Sequence, residues 1–595
     1  MEQKEELKKM RHSCEHVLHQ AMVELFPGLK RAMGPATDEG FYLDFDYDGR
    51  ISEEDFPKIE KRMQELIKAN LPIVRQEISI EKAREMFKNN PYKLDWVDQI
   101  EKKGEKAIVY WNGEPEKEGS DVDLCKGPHV ESTAKVGHFK LLSIAGAYWH
   151  GNEKNKMLTR IYGTCFQTKE ELDKYLWQIE EAKKRDHRKL GQDLELFTTS
   201  NEVGSGLILW LPKGTVVKEE LEKLGKKTES RENYLRVSTP HIAKDSLYYL
   251  SGHLPYYAAD MYPPMKAEDG TYYLKPMNCP HMHMIYSSKK HSYKELPIRY
   301  AEFGTVYRYE DSGTLQGLLR VRGMTQNDAH IYCTEEQALS ELTKVMKLHD
   351  YYYKIFGLKD YYIELALPDF EKKKDKYFDN PQAWEKSINI LREAAKQLNV
   401  EVVENVGGAA FYGPKFDFNV RSVTGKEFGA STNQLDFGSG ERFNLNYTDN
   451  DGSEKIVPYI IHRAPLGSDE RFIGFLIEHF AGAFPLWLAP TQIKILPISE
   501  KHLEFAKKVN SILVEQDIRS EVDEKNTTVG HKIRESTLQK IPYMVIIGDK
   551  EISSSENSGR KKLIISVRSR EGEDLGQINI YEFVDKLKAK IENYE

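Results

Sequence analysis

The middle of the chain constrains the fold most, because residues 191–489 contain many short runs rich in Tyr, Phe and Val. Glycine and proline separate these runs, as turn residues separate strands. Examples are RYAEFGTVYRYE, AHIYC, AAFYGPKFDFNV and NQLDFGSGERFNLNYT. Short strands with turn signals between them favour a largely antiparallel sheet flanked by helices. We therefore predict one sheet-based domain over 191–489.

The first region, residues 1–166, mixes helix and strand patterns and predicts an α+β domain. Within residues 1–26, apolar side chains recur at helical spacing at Val17, Leu18, Ala21, Met22 and Leu25. The segment FYLDFDYDG alternates as a strand does. Residues 167–190 are charged, and their apolar side chains also recur at helical spacing, at Leu172, Tyr175, Leu176 and Ile179. We expect this segment to be a connecting helix.

The last region, residues 490–595, alternates strand and helix patterns. Strands are predicted in QIKILPIS, IRSEV, PYMVIIGD and LIISVRSR, and helices over 500–516, over 530–540 and at the end of the chain. This rhythm indicates a compact α/β domain. The whole chain is thus predicted to be an α+β multidomain protein.

Composition narrows the location and the partners of the protein. Five cysteines in 595 residues exclude a disulfide scaffold and fit a reducing cytoplasm. The charged start MEQKEELKKM lacks the apolar stretch of a secretory signal, and no apolar run approaches the roughly 20 residues that cross a bilayer. The net charge of -8 argues against a global basic surface, so a nucleic acid would be held by local Lys/Arg clusters or by shape.

Two short motifs in the first region combine histidine with cysteine. His12 and His16 in HSCEH lie four residues apart, on one face of the predicted helix. Cys125 and His129 in DLCKGPH have the same spacing, but glycine and proline make that segment a loop. Three imidazoles and a thiolate suit zinc. A metal site and a metal-free hydrolytic pocket remain equally open from these residues alone.

A second set of possible ligands lies in the central region, at Cys279, His330 and His462. A local zinc site of Cys279 with His281 and His283 competes with a site that takes single ligands from distant strands. Each residue taken alone is more often structural than metal-binding. The sequence leaves these alternatives open.

Four charged residues between these positions suggest phosphate binding. Arg308 and Glu310 are predicted on one strand, and Arg320 and Arg322 on the returning strand after a glycine-containing turn. Paired guanidinium groups bind phosphate oxygens well, but salt bridges to Glu310 and Asp311 are the commoner use of such arginines. The sequence contains no Gly-rich loop that ends in Lys-Ser/Thr, so a P-loop nucleotide site is not expected.

Together, these segments resemble the bacterial type of the threonyl-tRNA synthetase family over nearly the whole chain. HSCEH and CKGPH resemble its editing domain, and TPHIAKDSLYYLSGH resembles motif 1 of class II synthetases, with Pro240 at the dimer-interface position. VYRYEDSGTLQGLLRVRG resembles motif 2, and GSDERFIGFLIEHF resembles motif 3. The class II motifs alone are compatible with synthetases for several amino acids. Cys279, His330 and His462 narrow the resemblance to the synthetases specific for threonine.

The resemblance implies a class II antiparallel-sheet catalytic core, a threonine-specific tRNA partner, L-threonine, ATP with Mg²⁺, one zinc ion and a homodimer in the cytoplasm. The implied catalytic residues are Arg308, Arg471 and Lys415. ATP would be bound by Arg308 at the α-phosphate, by Glu310 at the adenine, by Arg320 at the γ-phosphate, and by Arg471. The implied threonine pocket consists of Gln326, Asp328, Tyr412, Gln434 and His253, and the implied zinc ligands are Cys279, His330 and His462. The implied editing residues are His12, His16, Lys93, Asp123, Cys125 and His129, and the implied anticodon contacts are Asn526, Arg534, Glu551 and Arg568, with Lys532 as additional charge.

Elementary chemistry explains why such an enzyme needs two sites. Valine has nearly the shape of threonine, and zinc bound to both the amino and hydroxyl groups rejects it because valine has no hydroxyl. Serine offers both groups and lacks only a methyl, which is worth roughly 1–3 kcal/mol, or about 10- to 200-fold. We therefore expect the first domain to hydrolyse mischarged seryl-tRNA, and the resemblance implies that it does so without a metal.

The sequence departs from the family pattern in three places. The family commonly has a small ubiquitin-like domain before the editing domain, and we expect this chain to lack it. Gly429 stands where a glutamine that helps to hold ATP is expected, and extra residues follow Glu551 around SSSENSGRKK. Two rival functions are a free-standing zinc deacylase with an RNA-binding appendage and a catalytically silent RNA-binding paralogue. The retained Arg308, Glu310 and Arg471 argue against both.

Overall fold

The computed structural model describes residues 2–371, 376–556 and 563–595 of the chain. Its described residues divide into two compact units, Met1–Glu180 and Glu181–Glu595. The catalytic and anticodon-binding domains predicted from the sequence both lie within the second unit.

The first unit has the predicted α+β character. Its elements in chain order are α1 (Glu2–Leu25), β1 (Lys30–Met33), β2 (Phe41–Asp46), α2 (Phe56–Lys68), β3 (Ile73–Ile78), α3 (Ile80–Met86), α4 (Pro91–Lys102), β4 (Ala107–Asn112), β5 (Asp121–Leu124), β6 (His138–Tyr148) and β7 (Met157–Phe166). One sheet has the order β1-β2-β7-β6 and the other has the order β3-β4-β5. Val17, Leu18 and Met22 of α1 are fully buried in the core with residues of β2 and β7, which confirms the predicted helix face.

The predicted connecting helix over 167–190 is two helices. They are α5 (Lys169–Arg185) and α6 (His187–Asp193). The break falls at Asp186, whose carboxylate accepts a hydrogen bond from the backbone N–H of Arg188 and caps the second helix. Charged residues at helical spacing hid this N-cap from sequence analysis.

The central region contains the predicted, largely antiparallel sheet. Its elements before the first long hairpin are β8 (Phe197–Thr198), β9 (Leu209–Trp210), α7 (Pro212–Arg231), β10 (Leu235–Arg236), β11 (Ile242–Lys244), α8 (Asp245–Ser251), α9 (His253–Tyr256), β12 (Met265–Ala267), β13 (Gly270–Leu274) and α10 (Cys279–Ser287). The following elements are β14 (Ile298–Tyr307), β15 (Gly323–Cys333), α11 (Glu335–Ile355), β16 (Tyr361–Leu367), α12 (Pro381–Gln397), β17 (Val402–Val406), β18 (Lys415–Arg421), β19 (Glu427–Asp436), α13 (Ser439–Arg442), β20 (Asn446–Thr448), β21 (Glu454–Ile456), β22 (Tyr459–Ala464) and α14 (Asp469–Phe480).

Eight of these strands form one sheet in the order β10-β14-β15-β22-β19-β18-β16-β17. Its six inner strands pair antiparallel with one another, and only the two edge strands pair parallel. The largest hydrophobic core joins this sheet to α7, α11, α12 and α14.

The prediction that Arg308, Glu310, Arg320 and Arg322 lie on two strands is wrong. The ladder between β14 and β15 ends at Tyr307 opposite Gly323, and residues 308–322 form a loop. The loop turns on itself: its Gln316–Arg320 bridge encloses Gly317, which has a φ of +51°. A left-handed conformation of this kind suits glycine and interrupts a regular hairpin.

The last region is the predicted α/β domain, with a mixed sheet. Its elements are β23 (Ile493–Pro497), α15 (Leu503–Glu515), β24 (Ser520–Val522), α16 (Val529–Leu538), β25 (Tyr543–Ile547), α17 (Asp549–Glu556), β26 (Ile564–Ser569), β27 (Asp574–Asn579) and α18 (Ile580–Glu592). The strand order is β24-β23-β25-β26-β27, and β27 escaped prediction because DLGQIN is largely polar. Part of the predicted insertion around SSSENSGRKK, residues 557–562, lies outside the described residues. None of the described helices is both long and apolar enough to span a membrane.

Candidate active site and hydrolytic site

A row of facing residues crosses four adjacent strands of the large sheet. His330 of β15 lies opposite His462 of β22, His462 lies opposite Gln434 of β19, and Gln434 lies opposite Lys415 of β18. Facing residues on neighbouring strands put their side chains on the same side of a sheet. The strand order therefore brings together side chains that are widely separated in the sequence.

This row borders a cavity of about 500 Å³. The predicted site residues that line the cavity are Cys279, Arg308, Gln326, Asp328, Tyr412, Lys415, Gln434, His462 and Arg471. Four further predicted residues are not part of the lining: His253, Glu310, Arg320 and His330. Gly429 also lines the cavity. A β-carbon at this position would lie 3.5 Å from a guanidinium nitrogen of Arg471, so the absence of a side chain leaves the space beside this guanidinium group open.

Cys279, His330 and His462 have the arrangement of metal ligands. One ligand atom from each lies within 4.8 Å of the others, and Cys279 Sγ is 3.4 Å from His462 Nδ1. Both ring nitrogens of His330 are buried without a hydrogen-bond partner among the described residues. An orphaned buried polar group costs about 1–3 kcal/mol, and coordination of a metal would satisfy it. The donor set of one sulfur and two imidazoles fits zinc and leaves a position open.

The competing local site of Cys279, His281 and His283 is not formed. Among the described residues, His281 belongs to no group of converging ligands, and His283 converges instead with Asp436 and His462. Asp436 was not predicted from the sequence. It is 1% exposed, and its Oδ1 accepts hydrogen bonds from the backbone N–H groups of Gly438 and Ser439.

Several of the predicted threonine-binding residues make buried or half-buried polar contacts. Asn278 donates from Nδ2 to Asp328 Oδ2 at 3.1 Å, and burial raises the pKa of Asp328. The hydroxyl of Tyr412 donates to Gln434 Oε1, and the Tyr412 ring stacks on His462 with a centroid distance of 5.3 Å. Asn278 is fully buried and precedes Cys279 in the chain. It therefore connects a possible metal ligand, Cys279, with Asp328, whose carboxylate is predicted to bind the substrate.

His253 is neutral in this environment. Its Nδ1 lies 2.8 Å from the hydroxyl of Ser251, and its Nε2 lies 3.1 Å from the sulfur of Met277. Met277 lines the cavity, so His253 lies directly behind the lining. Burial, together with the nearby charges of Arg308 and Arg442, lowers the pKa of His253 to about 4.

The arginines divide between the two alternatives that the sequence left open. Arg320 forms a salt bridge to Glu310 at 2.7 Å, as the salt-bridge alternative predicted. Among the described residues, Arg308 and Arg471 form no salt bridge, and both line the cavity. Arg471 is reached by solvent through the cavity, yet the surrounding protein and the charges of Arg320 and Arg308 lower its pKa. Guanidinium groups that repel one another in a cavity favour a polyanion there.

The predicted editing residues also come together. A cavity of about 950 Å³ in the first unit is lined by His12, His16, Lys93, Asp123 and Cys125. The sixth predicted residue, His129, joins them because its Nε2 lies 3.2 Å from Cys125 Sγ.

Among the six predicted editing residues, charge is confined to one ion pair. Burial raises the pKa of Cys125 to about 12 and lowers the pKa values of His16 and His129. Burial also opposes ionisation of Asp123, but the charges of Lys93, His19 and Arg31 outweigh it and lower the pKa to about 2. Lys93 Nζ contacts Asp123 at 2.6 Å. At neutral pH the imidazoles and the thiol are therefore uncharged beside a Lys–Asp pair.

Sequence analysis missed a second layer behind this cavity. Arg31 pairs with Asp121 at 2.6 Å and lies 3.3 Å from His19 Nδ1. The signal for His19 was present, because it lies three residues after His16 on the same helix face. The partner residues Arg31 and Asp121 lie on β1 and β5 and carried no such signal.

The predicted anticodon contacts have unequal exposure. Asn526 and Arg534 are exposed, and Arg568 on β26 is half-buried. Glu551 is 5% exposed, and its carboxylate accepts hydrogen bonds from Gly548, Ser566 and Gln577. The expectation that Lys532 adds surface charge is wrong, because its Nζ is buried and donates to the carbonyl oxygens of Pro497 and Asp523.

An antiparallel sheet with an arginine-lined cavity, followed by a mixed α/β domain, fits a class II aminoacyl-tRNA synthetase, and matches to family models establish this class. Residues 262–480 match the tRNA synthetase class II core domain (G, H, P, S and T), and residues 492–590 match the anticodon binding domain. Residues 109–162 match the threonyl and alanyl tRNA synthetase second additional domain.

Individual relatives narrow the class to one family. The chain is 45% identical to the threonine--tRNA ligase of Sulfurihydrogenibium sp. (strain YO3AOP1) over 100% of this chain and 90% of the relative. It is 48% identical to that of Geobacillus kaustophilus (strain HTA426) over 92% of this chain and 83% of the relative. A crystal structure of the RNA binding domain of threonyl-tRNA synthetase from Cryptosporidium parvum Iowa II matches with a TM-score of 0.63 and 33% identity, over 68% of this chain and 98% of that one. The chain belongs to the threonine--tRNA ligase family.

Proposed function

We propose that this protein uses ATP to join L-threonine to the threonine-specific tRNA and hydrolyses seryl-tRNA formed in error. The observation that carries the first activity is one cavity whose lining contains two of the three possible metal ligands and four of the five predicted threonine-binding residues. The third possible ligand, His330, lies opposite His462. Arg308 and Arg471 also line this cavity and form no salt bridge among the described residues. The second activity rests on the six editing residues, five of which line one cavity while the sixth, His129, contacts Cys125. Family membership favours this function over the two rivals, a free-standing deacylase and a silent paralogue.

Threonine selection would depend on the triad and on the residues beside it. Cys279, His330 and His462 would hold zinc, which would supply a Lewis acid for the polar groups of the amino acid substrate. Asp328 faces the same cavity and offers a carboxylate to the amino group. The linked side chains of Tyr412 and Gln434 complete the pocket, together with Gln326 on β15.

The activation step would use the cationic side of the cavity. The threonine carboxylate attacks the α-phosphorus of ATP, the bond to the bridging oxygen breaks, and pyrophosphate leaves with its Mg²⁺. Arg308 would bind the α-phosphate and Arg471 would stabilise the charge that develops on it. Lys415 would add a third cation once its salt bridge to Asp417 opens. Arg320 would bind the γ-phosphate and Glu310 the adenine amino group, which requires their salt bridge to open. A terminal ribose hydroxyl of the tRNA then attacks the threonyl carbonyl, and AMP leaves.

The hydrolytic step would use the neutral imidazoles of the first unit. Water attacks the ester carbonyl of seryl-tRNA while an imidazole nitrogen accepts its proton, and the ribose oxygen leaves with a proton. An ester is already activated, so general-base help of about 10²–10⁴-fold can suffice without a metal. Lys93, paired with Asp123, would help to position the water or the seryl amino group.

The remaining features suit a tRNA-binding homodimer in the cytoplasm. Asn526, Arg534, Glu551 and Arg568 are the proposed anticodon contacts. Around motif 1, Tyr249 is 61% exposed and Leu250 42% exposed, and a second copy would cover such apolar side chains. All five cysteines are free thiols, as a reducing compartment allows.

Threonine-dependent exchange between ATP and pyrophosphate tests the synthetic activity directly. The proposed function predicts exchange with threonine, weaker exchange with serine and very little with valine. A free-standing deacylase or a silent paralogue would show no exchange with any amino acid, and that result would overturn the proposal.

A further inference from the structure

The HSCEH motif contains a buried hydroxyl that the proposed hydrolysis does not yet use. Ser13 lies on α1 between His12 and His16 and has no exposed surface. Its Oγ has three polar neighbours: the carbonyl oxygen of Lys9 at 2.9 Å, the backbone N–H of Val130 at 3.0 Å and Nδ1 of His129 at 3.1 Å.

Counting donors and acceptors fixes the role of each neighbour. A serine hydroxyl donates one hydrogen bond and accepts two. The Lys9 carbonyl can only accept, so it takes the hydroxyl proton, and the Val130 N–H can only donate. The remaining lone pair of Ser13 must then accept from His129, which places the proton of this imidazole on Nδ1. This is the assignment that satisfies all three contacts at once.

The position of that proton decides what His129 presents to the cavity. With the proton on Nδ1, a neutral ring carries a lone pair on Nε2, and this atom lies 3.2 Å from Cys125 Sγ. His12 Nε2 lies 3.3 Å from the same sulfur, so the lone pair is directed to the centre of the cluster. With the proton on Nε2 instead, an N–H would point there, and the basic lone pair would lie on Nδ1 against Ser13, away from the centre of the cluster.

We propose that Ser13 is a positioning residue of the hydrolytic site, which holds His129 in the tautomer that can act as a base. This inference rests on the proposed editing activity. When water attacks the ester carbonyl, its proton would pass to His129 Nε2, the bond from the carbonyl carbon to the ribose oxygen would break, and that oxygen would take up a proton. Free serine and uncharged tRNA would result.

The test uses two replacements of nearly the same shape in the full-length chain. Ser13→Thr keeps a hydroxyl and Ser13→Val replaces it with a methyl, so both add the same bulk at a buried position. We expect kcat for hydrolysis of seryl-tRNA to fall about 10- to 100-fold further in Ser13→Val than in Ser13→Thr, with similar KM, because part of the general-base contribution is lost. If the two variants hydrolyse seryl-tRNA equally well or equally badly, the shape and not the hydroxyl matters, and the inference is wrong.

A third variant covers the case in which the added bulk prevents folding of both. Ser13→Ala removes the hydroxyl without adding atoms, and we expect the same loss of kcat, while an unchanged KM for seryl-tRNA and an unchanged thermal unfolding curve report that the first unit is folded. Hydrolysis by Ser13→Ala within twofold of the wild-type rate would overturn the inference. If the wild-type chain itself hydrolyses no seryl-tRNA, the proposed editing function fails, which is a distinguishable result.

Discussion

His462 Nε2 lies 3.0 Å from Asp436 Oδ2, with both side chains buried. The other oxygen of Asp436 is held by the backbone N–H groups of Gly438 and Ser439 at 2.8 and 2.9 Å. The carboxylate is therefore fixed, and it fixes the imidazole with Nδ1 directed toward Cys279. A metal-binding histidine usually donates its second N–H to such a group, which orients the ring and strengthens it as a ligand.

Replacement of Asp436 by asparagine is expected to weaken zinc binding by about 10- to 100-fold. An amide has one oxygen, so it cannot accept from His462 and from both backbone N–H groups in the geometry of the carboxylate. Competition with a chromophoric chelator measures the zinc affinity. Asp360→Asn, at an exposed position, is the matched control and should bind zinc as the wild type does. Unchanged zinc affinity in Asp436→Asn would contradict the role of this contact.

The combined variant His16→Ala/Cys125→Ala is expected to charge tRNA with threonine at the wild-type rate but to accumulate seryl-tRNA. Both side chains line the hydrolytic cavity and neither lines the synthetic one. The measurement is the hydrolysis of preformed seryl-tRNA. If the double variant hydrolysed seryl-tRNA at the wild-type rate, the editing assignment would be refuted. If hydrolysis by the wild-type chain stopped when a chelator was added and returned with added zinc, the hydrolytic site would need a metal.

Asn526→Ala is expected to weaken charging of the cognate tRNA and to leave threonine activation unchanged. Asn526 is exposed, and its amide can donate to and accept from a base edge. Comparison of aminoacylation with ATP–pyrophosphate exchange separates the two steps. An equal loss in both assays would mean that the substitution had damaged the fold rather than recognition of the tRNA.

Most of the fold was predictable because each strand and helix carries its own periodicity. The apolar face of α1 is buried as its spacing indicates, and the central runs of Tyr, Phe and Val form the antiparallel sheet. The break at Asp186 and the loop over 308–322 were not predictable from periodicity, because a single N-cap and a turn at Gly317 decide them. Local sequence signals describe such points less well than long periodic segments.

The site was predictable as a set of residue types, and the resemblance to a family supplied their assignment. Strand register, which the sequence does not state, brings His330 beside His462 and chooses the distant ligands over His281. The supporting residues were missed because nothing in an isolated Asp436 or Ser13 marks its partner. Lys532 was wrongly assigned because its position on α16 gave no sign that the ammonium group is buried.

Zinc content measured together with threonine activation in Cys279→Ser tests the central claim most directly. The wild-type chain should contain about one zinc ion in the triad and catalyse threonine-dependent ATP–pyrophosphate exchange. The variant should lose the metal and the exchange together, because the hydroxyl of serine is a poorer ligand than a thiolate. Zinc-free Cys279→Ser protein that activates threonine at the wild-type rate and still rejects valine would contradict the account.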